Sequence, residues 1–83
     1  MNEKDRILDR LRTMLQERFD ADPNQVTEET KLSQLGVDSI LMADMMIDIE
    51  SDLDFTFKTL DLPKNPSVGD VVRLIQESMQ PAG

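Results

Sequence analysis

Histidine, cysteine, tryptophan and tyrosine are all missing from this sequence. Without them the chain lacks the commonest general base, the strongest side-chain nucleophile and most stacking residues. With no thiol there is neither a disulfide framework nor a thiolate metal or redox site, so cysteine usage says nothing of compartment. Carboxylate pairs remain available for acid–base work, but 83 residues leave little room for a closed, dry pocket, and an enzyme is not expected. No run approaches the roughly 20 apolar residues that a membrane span needs. The start, Met1-Asn2-Glu3-Lys4-Asp5-Arg6, is charged and has no apolar signal core, which points to a soluble, unexported, cytoplasmic chain. Met1 suits a freestanding gene product, and equally a domain excised from a larger protein and given the same start.

Basic residues are scarce as well: 9 Lys plus Arg against 17 Asp plus Glu give a formal charge of −8. That balance repels nucleic acid and anionic membrane faces, and it steers the chain toward basic patches on other proteins. A monomer is expected. The length accommodates one domain, residues 1–83, with an ordered core over about 3–79 and a frayed tail at 80–83. A core this small favours local contacts and short helices, so the expected fold is all-α: a small four-helix bundle.

Periodicity places the helices. Ile7, Leu8, Leu11, Met14, Leu15 and Phe19 recur at helical steps, while Asp5, Arg6, Arg10, Arg12, Gln16 and Glu17 take the other face, predicting a helix over 3–19. Asp20-Ala21-Asp22-Pro23-Asn24 breaks it. From 21 to 38 no helical period persists, yet Val26, Leu32, Leu35 and Val37 are spaced as pins onto a core, so an ordered long loop is expected. Connections longer than about 12–15 residues tend to be functional when they are not disordered. Met42, Met45, Met46, Ile49 and Leu53 predict a second long helix over 39–53. Phe55, Phe57, Leu60 and Leu62 suggest a short, irregular third helix, ended by Pro63 and Pro66. Ser67 is a good N-cap, with Asp70 three residues on in a variant capping box, and Val68, Val71, Val72, Ile75 and Met79 form the stripe of a last helix running to about Ser78.

The chemistry concentrates where the long loop becomes the second helix, at Leu35-Gly36-Val37-Asp38-Ser39-Ile40. Asp38 is placed as the N-cap, which leaves the Ser39 hydroxyl at the positive end of the helix dipole, where a phosphodiester is favoured. Gly36 suits a tight backbone turn into the helix and leaves an enzyme room to reach the serine. Taken alone, these features also fit an ordinary capped helix, since Asp-Ser at helix starts is commonplace.

The stretch Gly36-Val37-Asp38-Ser39-Ile40 resembles the Gly-x-Asp-Ser-[Leu or Ile] attachment motif of the acyl carrier protein family. Val26-Thr27, Leu35, the apolar sequence of 40–53, the Leu53-to-Phe57 junction and Pro66-Ser67-Val68 also align with family landmarks, so the resemblance covers roughly residues 5–77. It implies that Ser39 receives phosphopantetheine from a transferase that uses coenzyme A, with magnesium belonging to that enzyme complex, and that the arm's thiol bears acyl groups. The chain then delivers intermediates without transforming them, to an acyl-loading enzyme, a ketosynthase or other enzymes of fatty-acid or polyketide-type synthesis. Tethering raises the local concentration of substrate at each enzyme. Peptidyl carriers, the nearest rival, typically have Gly rather than Asp before the serine. From another class, an unmodified acidic helical adaptor stays open.

Residues 38–54 contain Asp38, Asp44, Asp48, Glu50, Asp52 and Asp54 and no Lys or Arg. Such a face can simply keep a helix in solution. By resemblance it docks on basic patches, with Asp44, Asp48 and Glu50 as contacts and Asp38 guiding the transferase. Leu41, Met42 and Ile47 are apolar where fatty-acid synthesis members often show polar or acidic residues. With Ile40 they mark either a hydrophobic contact for a dedicated partner in a specialised pathway or packing against the loop. Met42, Met45 and Met46 read as core, or as the lining of a flexible cavity. An EF-hand is excluded: Leu53 stands where Gly is required and Thr59 where Glu is required.

Overall fold

In the computed structural model, which describes residues 2–58 and 62–79, three α-helices surround one apolar core: α1 (Glu3–Phe19), α2 (Ser39–Leu53) and α3 (Val68–Met79). No helix among the described residues is long and apolar enough to cross a membrane. The first helix starts where the Asn2 side chain accepts a hydrogen bond from the Asp5 amide at 2.8 Å. It ends where Asp20 adopts a left-handed conformation (φ 58°) and donates its amide to the Gln16 carbonyl. Ile7, Leu11, Met14 and Leu15 face inward and α1 packs directly on α3, whose buried stripe includes Val68, Val71, Val72 and Ile75. Met45 and Ile49 of α2 complete the core.

The α1–α2 connection is ordered and pinned as its apolar spacing predicts: Val26, Leu32 and Val37 are buried and Leu35 packs against them. A 3-10 turn over Leu32–Leu35 closes on Gly36, whose φ of 81° is left-handed and costs a residue without Cβ least. Polar anchors back the apolar pins. Arg12 donates to the Val26 carbonyl at 3.0 Å, and the loop carbonyls of Glu28 and Thr30 each accept a 2.8 Å bond from the Gly69 and Val68 amides. These are first-turn amides of α3, which have no partner inside their own helix. The capping box expected at Ser67 and Asp70 is present. The Ser67 amide donates to Asp70 Oδ2 (2.9 Å) and the Asp70 amide to Ser67 Oγ (3.2 Å).

The short third helix expected from Phe55, Phe57, Leu60 and Leu62 falls partly outside the described residues, as the tail expected at 80–83 does: Leu60 is not described, residues 55–58 and 62–66 are not helical, and among the described residues the architecture is three α-helices and a 3-10 turn. The reason is local. Asp54 turns left-handed (φ 56°), the Phe57 amide is taken by the Glu50 carboxylate at 2.8 Å, and the Lys58 amide donates to the buried Ser78 hydroxyl at 3.1 Å. Amides committed to side chains are withdrawn from i−4 carbonyls. Phe55 and Phe57 instead meet edge to face, with ring centroids 4.8 Å apart.

Candidate functional site

Ser39 is the first residue of α2 and is exposed. Asp38 is the N-cap, as expected: its backbone is extended and its Oδ1 accepts from the Leu41 amide at 2.9 Å, while its carbonyl accepts from Met42 at 2.8 Å. Those two bonds leave the amides of Ser39 and Ile40 without a protein partner among the described residues. The Ser39 hydroxyl has none there either. Gly36 holds the turn before the site, and a Cβ built on it meets nothing within 4 Å, so the approach to the serine is open on that side.

Beside Ser39 runs an open cleft of about 400 Å³ with a mainly apolar lining. Met42, Ala43 and Met46 of α2 form one wall, and Leu62, Pro63, Lys64 and Pro66 form the other. The three methionines therefore divide: Met45 is fully buried in the core, Met46 is buried and reaches the cleft lining, and Met42, partly buried, lines the cleft as well. In the sequence Pro63 and Pro66 read as helix stops, and Pro66 also as a landmark before the last helix, so the 62–66 wall beside Ser39 is a feature of the fold alone. Leu62, stranded between charged and proline-rich residues, was the available signal. Ser33 Oγ donates to Asn65 Oδ1 at 3.0 Å and ties that wall to the 3-10 turn.

The donor set suits a phosphodiester with a linear arm. Two open helix-start amides and the dipole favour the phosphate, an exposed hydroxyl offers the ester oxygen, Lys64 supplies a cation in the cleft lining, and the apolar walls suit a methylene-rich chain.

The acidic residues of α2 do not all point outward as a bare charged surface. Arg18, near the end of α1, pairs with both Asp44 (3.3 Å) and Asp48. Arg10 makes a two-pronged contact with Asp52, which also holds its guanidinium protonated above the ordinary arginine value. Glu50 is half-buried with one oxygen on the Phe57 amide. The apolar residues lie open: Ile40 is 80% exposed, Ile47 63% and Leu41 38%, while Met42 is partly buried.

A family model described as a phosphopantetheine attachment site matches residues 9–75. Fold and site thus define a helical domain that bears a covalent phosphopantetheine arm. The chain is similar to the acyl carrier protein of Thermotoga maritima, 34% identical over 80 residues that cover 95% of this chain and 99% of the relative. It is 32% identical to the acyl carrier protein of Phenylobacterium zucineum over 74 residues, 88% of this chain and 94% of that one. Acyl carrier protein 2 of Ralstonia nicotianae is 35% identical over 71 residues, 84% and 88% of the two chains. The chain belongs to the acyl carrier protein family. Its role is that of a non-catalytic carrier.

Proposed function

We propose that Ser39 is the attachment serine and that the chain serves a specialised fatty-acid or polyketide-type pathway as a cytoplasmic, monomeric carrier. The observation that supports Ser39 most is its place: an exposed hydroxyl heading a helix, with neither it nor the first two amides partnered among the described residues. When bound, phosphopantetheine supplies a terminal thiol that holds acyl groups as thioesters. The chain's own residues do the rest. Asp38 fixes the helix start, the Ser39 and Ile40 amides would favour the negative phosphate, Lys64 places a positive charge in the cleft lining, and Met42 and Met46 would give apolar contact to the arm. Asp38, Ile40, Leu41, Asp44, Ile47, Asp48 and Glu50 form the face that the transferase and the acyl-processing enzymes meet. Exposed Leu41 and Ile47 favour a dedicated set of partners over the housekeeping one.

Incubation with coenzyme A, magnesium and a broad-specificity phosphopantetheinyl transferase, read by intact mass, tests the site. One phosphopantetheine is expected on the native chain and none on Ser39→Ala. An unmodified native chain, folded by circular dichroism beside a known carrier that the same enzyme loads, overturns the carrier reading in favour of the adaptor.

A further inference from the structure

With Cys, Trp, Tyr and His all absent, peroxide chemistry on this chain falls on its six methionines. The fold sorts them by access. Met14, Met45 and Met46 are buried, Met42 and Met79 are partly buried, and Met1 lies outside the described residues. A buried thioether reacts when its surroundings open, whereas a partly exposed one reacts in the folded state. Of the two partly exposed methionines, Met42 lines the cleft beside Ser39 and Met79 does not. Met42 stands three residues beyond the serine, on the same side of α2. Its amide donates to the Asp38 carbonyl at 2.8 Å, so the thioether is held out from a capped first turn. Apart from the Ser39 hydroxyl and the Lys64 ammonium, the described lining of that cleft is apolar.

Resting on the carrier reading, we propose that Met42 is an oxidation site that switches the cleft beside Ser39 from apolar to polar. Hydrogen peroxide gives one oxygen to the thioether sulfur: the O–O bond breaks, an S–O bond forms, the sulfur loses two electrons and water leaves. The sulfoxide oxygen accepts hydrogen bonds, and it stands in the same lining as the Lys64 ammonium, which carries three donors. Water and Lys64 then hold a wall that in the reduced chain offers apolar contact. The core keeps its packing, because Met45 stays buried on the other side of the helix. Ser39 and its open amides are unchanged, so the arm is still attached, but an apolar chain carried on it loses its resting surface. Methionine sulfoxide reductases reverse the step, which makes it a switch.

The test treats the folded chain with hydrogen peroxide and locates the sulfoxides by peptide mass mapping. Met42 is expected to react about tenfold faster than Met45 and Met46, whose reaction waits on local opening. Octanoyl-coenzyme A and the broad-specificity transferase then load treated and untreated chains, and thermal melts read the gain in Tm on loading, a measure of contacts made in the folded state alone. The untreated chain should gain a few degrees and the treated chain should lose most of that gain. Met42→Leu, apolar and inert to peroxide, should show the same gain before and after treatment. Met42→Gln, polar from the outset, should lack the gain without peroxide. The proposal is overturned if Met42 reacts no faster than Met45, if the untreated chain shows no gain, or if treatment leaves the gain unchanged. A loss in treated Met42→Leu overturns it too, by assigning the effect to another methionine. Absence of any mass gain on the untreated chain would instead sink the carrier reading itself, so the two failures are told apart.

Discussion

Two glycines illustrate opposite demands that the fold makes of single residues. Gly36 has a left-handed φ of 81° and open space around its missing Cβ, whereas a Cβ at Gly69 would stand 2.9 Å from the Glu28 carbonyl oxygen. Gly36→Ala therefore meets only backbone strain, about 1 kcal/mol. Gly69→Ala meets a backbone atom that also accepts the Gly69 amide bond, so either the loop shifts or the bond stretches. Urea denaturation is expected to show the larger loss for Gly69→Ala, about 1–3 kcal/mol as for an overpacked site. A larger loss at Gly36 would show that the loop yields easily. At this scale the geometry of the second helix's start was legible, because Gly36, Asp38 and Ser39 fall within four residues of one another. The pairs Arg18 with Asp44 and Arg10 with Asp52 were not, since 26 and 42 residues separate them and nothing local specifies who meets whom.

Each helix carries its own start signal, and the one on α3 titrates. The Asp70 carboxyl is held below the ordinary carboxylate range, first by the Ser67 backbone amide that donates to it, with burial opposing and the Ser67 side chain assisting. A lowered folded-state value means that its stabilisation is fully present above the unfolded value, about 3.9, and is lost as pH falls through the folded one. Asp70→Ala should thus lower Tm at pH 7 by a few degrees, and the gap to the native chain should narrow below about pH 4. Melts from pH 7 to 3 check this; a gap that widens in acid would refute the assignment. Elements with a clean apolar period and a cap were legible in the sequence, with α1 and α2 running over 3–19 and 39–53 as read. The stretch after Asp54 was not. Phe55 and Phe57 stand two apart, a spacing that fits no helical face, and the Phe57 and Lys58 amides go to Glu50 and Ser78, contacts that lie 7 and 20 residues away.

For the molecule as a whole, net charge and pairing pull in opposite directions. Salt weakens the exposed pairs Lys4–Glu28, Arg10–Asp52 and Arg18–Asp44, each a small contribution in water, but it also screens the self-repulsion of a chain at −8. Repulsion among the many unmatched acids outweighs the few pairs, so raising ionic strength from about 10 to 150 mM should raise Tm by several degrees. A fall in Tm would mean that the pairs carry more of the stability than their exposure suggests.

The seating of the α1–α2 loop on the head of α3 has a consequence for chain length. Glu28 and Thr30 can cap Gly69 and Val68 only while the spacing from the Val26 pin to Leu32, itself bonded to the Pro66 carbonyl, is kept. Each residue added or removed between them displaces the carbonyls by up to about 3.8 Å, more than a hydrogen bond tolerates. The exposed turn at Asp22–Gln25, upstream of the first pin, bears no such constraint. Insertions and deletions are therefore tolerated at that turn and excluded from Val26 to Leu32, which makes the latter stretch a ruler that measures the loop against the last helix.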